Sequence, residues 1–168
     1  MNRLSFLKRL DWLRPGRTLA ALVAFTCLLL AGPGVAQDKS SEVMAAMERW
    51  ATSYGSATSP EQMLKHYHPE AVFWGTGARQ PFVGAAEIAP YFAQQFENFP
   101  RRSVGFIDPV IRFYGGNTAT ATGLYRFDVE TAAGEAISVV HRFSFAFIAA
   151  EGTWTIIHQH SSQLPQVR

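Results

Sequence analysis

Hydrophobic residues recur along this chain with two different periods, and the change between them falls near residue 100. Before it the spacing is helical. In SSEVMAAMERWATSYGS, residues 40–56, Val43, Met47, Trp50 and Tyr54 line one helix face, with Ser40 or Ser41 to cap the start and Gly55 to end it. In SPEQMLKHYHP, Ser59 precedes Pro60 at the first helical position and Gln62 follows three residues after the serine, a capping-box arrangement. Met63, Leu64 and Tyr67 face inward there, and Pro69 blocks continuation. EAVFWG, β-branched and aromatic, reads as a short strand. VGAAEIAPYFAQQFENFP then restores helical spacing through Ile88, Phe92, Phe96 and Phe99. Pro90 falls inside that pattern and is expected to kink or split the helix, since it removes a donor and crowds the preceding turn.

From Arg101 onward the period is that of strands. RSVGFIDPVIRFY, TATATGLYRFDVE, EAISVVHRFSFAFIA and TWTIIHQHSSQL are separated by the short turns GGN at 115–117, TAAG at 131–134 and AEG at 150–152. Short turns favour antiparallel neighbours in a meander. Three helices followed by a long, strongly bent antiparallel sheet make an α+β fold, with the helices packed against one face.

Composition changes the picture mainly at the N terminus. Residues 1–17 carry Arg3, Lys8, Arg9, Arg14 and Arg17 against Asp11 alone, TLAALVAFTCLLLA is apolar throughout, and GPGVAQ supplies small residues. That order is a secretory signal, residues 1–36, cut after Ala36. The apolar run is shorter than the ~20 residues that a membrane span needs. The mature domain, residues 37–168, is thus expected in the periplasm or secreted, with no membrane attachment once the signal is cleaved. The only cysteine, Cys27, lies in the signal, so disulfides and thiolate catalysis are excluded from the domain. The signal holds five of the fifteen Lys and Arg and one of the thirteen Asp and Glu, leaving ten against twelve. A slightly acidic domain is a poor partner for nucleic acid. About 130 residues make one domain by size.

Several stretches carry a family resemblance: HYHPEAVFWG, FVGAAEIAPYF, and the ending HRFSFAFIAAEGTWTIIHQHSSQLP. With the order of elements, they resemble the nuclear-transport-factor-2-like superfamily, the cone-shaped fold of ketosteroid isomerases and SnoaL-like cyclases. Within it they are similar to the association domain of calcium/calmodulin-dependent protein kinase II and its bacterial SgcJ/EcaC-type relatives. The likeness spans Ser41 to Pro165, and no kinase signature accompanies it. It implies a cone-shaped sheet with three N-terminal helices packed on its concave face, and a homodimer or larger ring. It also implies an arginine-bearing cavity, with Arg126 and Arg142 at the matching strand positions. Where the kinase domain carries a third arginine, this chain has Ser161.

The candidate residues follow. Arg126 and Arg142 would converge on a polar ligand, unless Arg126 and Asp128, two apart on one strand face, satisfy each other. Tyr67, Trp74 and Phe92 would supply aromatic walls. In an unbroken last strand His158 and His160 share a face with Trp154, Ile156 and Ser162, opposite Thr155, Ile157, Gln159 and Ser161. If Ser161 occupies a pocket position, Gln159 lines the pocket with it and the histidines face away; a β-bulge would change the assignment. A metal site would need His158 and His160 to find further ligands, with His66 and His68 the only other pair, and none is expected. As an enzyme, an isomerase, hydratase or cyclase would use Asp128 as base with Tyr125 or Arg142 as donor, or His160 beside Ser161 and Ser162. No glycine-rich loop precedes a helix, so no cofactor is expected. Self-association is expected from Phe143, Phe145, Phe147 and Trp154 on an outer sheet face. The function read from the sequence is therefore an exported, oligomeric module binding a small polar or aromatic ligand, with a cofactor-free enzyme as the alternative.

Overall fold

A computed structural model describes residues 33–166, with side chains from residue 39. The chain divides into two units, Met1–Gln37 and Asp38–Arg168, and the second holds the fold. Residues 1–32 of the predicted signal lie outside the described residues.

Helix α1 runs from Pro33 to Ser56, α2 from Pro60 to Leu64 and α3 from Ala85 to Asn98. The strands are β1 (Tyr67–Trp74), β2 (Phe82–Val83), β3 (Arg101–Tyr114), β4 (Thr118–Glu130), β5 (Ala136–Ala150) and β6 (Thr153–Gln163). Helix α1 starts before Ser40 because a proline is tolerated in a first turn and nothing between it and Ser41 breaks a helix. Ser59 caps α2 only by its extended backbone; Gln62 Oε1 accepts from the Thr58 N–H at 2.7 Å, one residue earlier than a capping box would place it. Tyr67 and Pro69 belong to β1 rather than to a longer α2. Pro90 does not split α3, which is one helix.

The six strands form one curled sheet in the order β2-β1-β6-β5-β4-β3. All neighbours are antiparallel except β1 and β6, which pair in parallel. Two irregularities bend it. In β3, Asp108 and Pro109 intervene between the pairs Ile107↔Leu124 and Val110↔Thr122, and Asp108 has φ 44. Opposite them, a Cβ on Gly123 would lie 3.2 Å from the Ile107 carbonyl, from Pro109 and from the Phe143 ring, so the absence of a side chain lets the bulge close in. In β6, Phe147 pairs with Ile156 but Ala146 with His158, so Ile157 is an extra residue.

The β6 bulge decides which residues face the helices. Trp154 and Ile156 are buried, and past the bulge so are Gln159 and Ser161, while His160 is exposed. The unbroken alternation expected from the sequence therefore fails at Ile157. Phe143, Phe145, Phe147 and Trp154 are core, packed beneath the helices with Trp50 and Tyr125, rather than an outer contact face. Each buried aromatic of this size contributes about 2–3 kcal/mol of burial.

Arg102 ties the helix ends to the sheet. Its Nε donates to the Tyr54 carbonyl at 2.7 Å, Nη1 to Phe99 at 3.1 Å, and Nη2 to Ala57, while its guanidinium stacks 3.8 Å from the centre of the Phe96 ring. Those carbonyls close the C-terminal ends of α1 and α3, where helix dipoles gather negative charge.

Candidate functional site: an uncharged cavity beneath the sheet

Between the inner sheet face and the helices lies a cavity of about 340 Å³. Its apolar walls come from every layer: Trp50 and Tyr54 on α1, Phe73 on β1, Phe92 on α3, and Phe127 on β4. Val129, Ile137 and Val139 complete them toward one end. The polar lining consists of Thr76, Tyr91, Tyr125, His141, Gln159 and Ser161, with Gln95 and Gln163. Among the described residues no carboxylate, ammonium or guanidinium lines it.

These polar groups form two short runs of hydrogen bonds, one ending at Gln159 and one at Ser161. Trp50 Nε1 donates to the Tyr67 hydroxyl at 2.8 Å, and that hydroxyl donates to Gln159 Oε1. Ser161 meets Thr76 hydroxyl to hydroxyl, and Thr76 Oγ1 lies 3.4 Å from His141 Nδ1. Burial pushes the Tyr125 phenol far above its ordinary range. Tyr91 is pushed up to about 12, again by burial, although its oxygen bonds the Thr76 backbone. Burial lowers the pKa of His141 below the usual 6.5. At neutral pH the polar lining therefore consists of protonated phenols, amides, hydroxyls and a neutral imidazole. It can donate and accept hydrogen bonds but cannot neutralise an ion, and burying an unpaired ion there is costly.

The glycine before Thr76 shapes this corner. A Cβ on Gly75 would collide with the Tyr91 ring, so a bare backbone lets Tyr91 lie across the chain. Tyr91 also packs on Phe73, ring centres 4.8 Å apart.

The residues singled out from sequence separate sharply. Gln159 and Ser161 line the cavity, and Phe92 is one of its walls. Tyr67 lies behind the wall, buried, and meets the lining residues Trp50 and Gln159 through its hydroxyl. Arg126 and Arg142 do not project into it. Arg126 pairs with Asp128 at 3.0 Å on the outer face, their side chains 60% and 47% exposed, and Arg142 donates to the Gln163 carbonyl at 3.1 Å. The arginine pocket is thus corrected, for a physical reason: with Tyr125, Phe127 and Phe143 facing in, alternation sends Arg126, Asp128 and Arg142 out to water. Asp128 accepts from Ser138 at 2.7 Å, which with Arg126 keeps its carboxyl below the usual range; it is no base in a dry cavity. Trp74 is likewise outside, since its neighbour Phe73 points in; its indole donates to the Ala78 carbonyl at 2.9 Å and its ring meets His160 edge-on. His160 faces away from Ser161, so the two form no catalytic pair. Among the described residues no group of three or more His, Cys, Asp or Glu is placed to hold a metal.

His141, Thr76, Tyr91 and Trp50 were not anticipated as site residues. One signal was present in HRFSFAF: the alternate phenylalanines mark one face, and His141 shares their parity whereas Arg142 does not.

With this geometry in hand, comparison with known proteins assigns the family. The SnoaL-like domain model matches residues 43–166. The chain belongs to the SnoaL-like family. No curated protein matches the sequence significantly. Among solved structures, the SnoaL-like domain is similar to one from Xanthomonas campestris assigned as a calcium/calmodulin-dependent protein kinase II association domain. The two share 24% identity and a TM-score of 0.70 over 75% of this chain and 88% of that one. A nuclear-transport-factor-2-like superfamily protein of Salmonella enterica aligns at 23% identity and TM-score 0.67, over 76% and 92% of the two chains. A structure from Novosphingobium aromaticivorans assigned as a scytalone dehydratase aligns at 10% and 0.70, over 82% and 94%. These likenesses establish the cone-shaped nuclear-transport-factor-2-like fold, in which structures assigned as dehydratases and association domains both occur.

Proposed function

We propose that the SnoaL-like domain binds a small, uncharged, largely aromatic ligand in the cavity beneath its sheet. One observation carries the reading: about 340 Å³ of space walled by aromatic rings, with hydrogen-bonding groups and no charged side chain among the described lining residues. Volumes of this order suit small organic ligands, and a few placed polar groups in an apolar wall set orientation. The test is a fluorescence titration, following tryptophan emission, with 1-ethylnaphthalene and with the anion 1-naphthoate. Saturable binding of the neutral compound, at least tenfold tighter than the anion, is expected; tighter binding of the anion, or of neither, would refute the reading.

A second reading is an enzyme of the dehydratase or isomerase type in the same cavity, favoured by a neutral His141 beside protonated phenols and by relatives assigned as dehydratases. It predicts turnover that His141→Gln abolishes while 1-ethylnaphthalene still binds.

The protein's setting is part of the proposal. The basic, apolar and small-residue order of residues 1–36 supports export to the periplasm or beyond. A homodimer or larger ring is supported by the outer sheet face, where Trp74, Ile107, Val110 and Tyr114 are each more than a third exposed. Register aligns Trp74, His160, Ser144, Thr122 and Val110 in one row across that face. Sedimentation should give a dimer or larger assembly at micromolar concentration, and Trp74→Glu should weaken it; a wild-type monomer would exclude it.

A further inference from the structure

The register of the sheet orders the cavity lining by depth. Gln159 lies opposite Phe145, Ser161 opposite Phe143, and His141 stands between Tyr125 and Gln163. Strand β6 ends at Gln163, so from Ala136 to Val140 strand β5 has β4 on one side and no strand on the other. The lining continues past that point, through Phe127 and Val139 to Val129 and Ile137. At the inner end Trp50, Phe73, Phe92, Tyr125 and Gln159 are each no more than 2% exposed. At the other end Val129, Ile137 and Val139 are partly exposed, as are Gln95 and Phe99 beside α3, and Gln163 is exposed. The cavity is therefore blind at Gln159 and opens to water in the gap beside β5, across from the C-terminal end of α3. One corner of the rim is tied by backbone, where the Ala132 N–H donates to the Asn98 carbonyl at 3.2 Å.

Polarity changes along the same axis. Tyr125, His141, Gln159 and Ser161 occupy the inner rows, with Thr76 bonded to Ser161. The outer rows, Phe127 with Val139 and Val129 with Ile137, are wholly apolar, and Gln95 and Gln163 flank the opening. We infer that the cavity takes an amphiphile head first: a neutral polar head, such as an aryl ketone, among the inner rows, and a hydrocarbon tail running out between β5 and α3. The inference rests on the cavity being a site for neutral ligands, and adds to that reading a tail and a direction. From His141 to Ile137 is four residues of strand, about 13 Å. A tail of several methylenes therefore lies against Val139 and Ile137 before it meets water, and each one covered removes apolar surface from solvent. A charge on the head would be buried without a partner, whereas the same charge on the tip of the tail stays hydrated beyond the rim.

Calorimetric titration with four compounds tests this: 4-methylacetophenone, 4-hexylacetophenone, 4-hexylbenzoate and 6-(4-acetylphenyl)hexanoate. The hexyl ketone is expected to bind at least tenfold tighter than the methyl ketone, since its added methylenes are covered by the outer rows. The last two compounds carry the same charge at opposite ends. The hexanoate, charged at the tip of its tail, is expected at least tenfold tighter than the benzoate, charged at its head. In Ile137→Asp, at the rim, the hexyl-to-methyl ratio should fall several-fold. Equal affinity of the two ketones overturns the tail. Equal affinity of the two anions, tighter binding of the benzoate, or a ratio unchanged in Ile137→Asp overturns the direction. Each of these leaves the cavity a binding site; failure of both ketones and of 1-ethylnaphthalene to bind would refute the binding reading itself.

Discussion

Strands β5 and β6 present the same residue types to two environments. Inside the cone stand His141, Gln159 and Ser161, each bonded to an uncharged side chain. Outside stand Arg142, His160 and Ser162, with Ser162 opposite Arg142 in the ladder. The inner set is polar but uncharged. The outer set includes a guanidinium, whose bond to the Gln163 carbonyl is an exposed one. The difference shows what burial selects in this fold. A charge placed under the sheet would need a partner that the aromatic walls do not supply, whereas amides, hydroxyls and a neutral imidazole can satisfy one another.

If the contrast is real, substitutions on the two faces must differ in cost. The largest effect is expected for Trp50→Ala, about 3–5 kcal/mol in urea denaturation, since it removes a core ring and the donor to the buried Tyr67 hydroxyl. His160→Ala, on the exposed side, should stay within about 0.5 kcal/mol. Comparable losses would erase the distinction.

Arginines give the next comparison. Arg102→Leu should cost about 2–3 kcal/mol, because three carbonyls at helix ends lose a charged donor. Arg126→Leu should cost well under 1 kcal/mol, as exposed pairs do. Beneath the sheet, Gln159→Leu should cost about 1–3 kcal/mol by leaving the buried Tyr67 hydroxyl without its acceptor, measured by the same unfolding curves.

The smallest effect is a pH slope. His66, His141 and His158 all have pKa values lowered from 6.5, chiefly by burial. The unfolded chain therefore takes up protons at a higher pH than the folded one. Their contribution is complete above about pH 6.5 and declines as the pH falls through the unfolded value. The urea midpoint should drop between about pH 7.5 and pH 5, and His141→Asn should flatten that decline. A midpoint that rises on acidification would reverse the sign.

Most of the fold was legible in the residues. Helical spacing at Val43, Met47, Trp50 and Tyr54 marked the buried face of α1, and alternation with short turns marked β3 to β6. The start of α1 was not, because its first turn lies in a segment that reads equally as the end of a signal. The parallel pairing of β1 with β6 joins distant segments and leaves no local pattern. The site was half legible. Gln159 and Ser161 follow from a pocket parity assumed at Ser161, but the bulge at Ile157 that brings Trp154 and Ile156 to the same face carries no residue signature. The arginine positions implied by the family resemblance conflict with the phenylalanine alternation beside them, and the alternation sets the faces. Thr76 could not be found by periodicity at all, since it lies past the end of β1 and reaches the cavity through loop geometry.

The most direct test of an uncharged ligand cavity is a crystal structure of the protein soaked with 1-acetylnaphthalene. The account predicts the ring system beneath the sheet, between Phe92 and Phe127, with its ketone oxygen toward the polar lining of Thr76, Tyr125, His141 and Ser161. A bound ligand on the outer face beside Arg126 or Arg142, or a cavity whose walls have closed on each other, would contradict it.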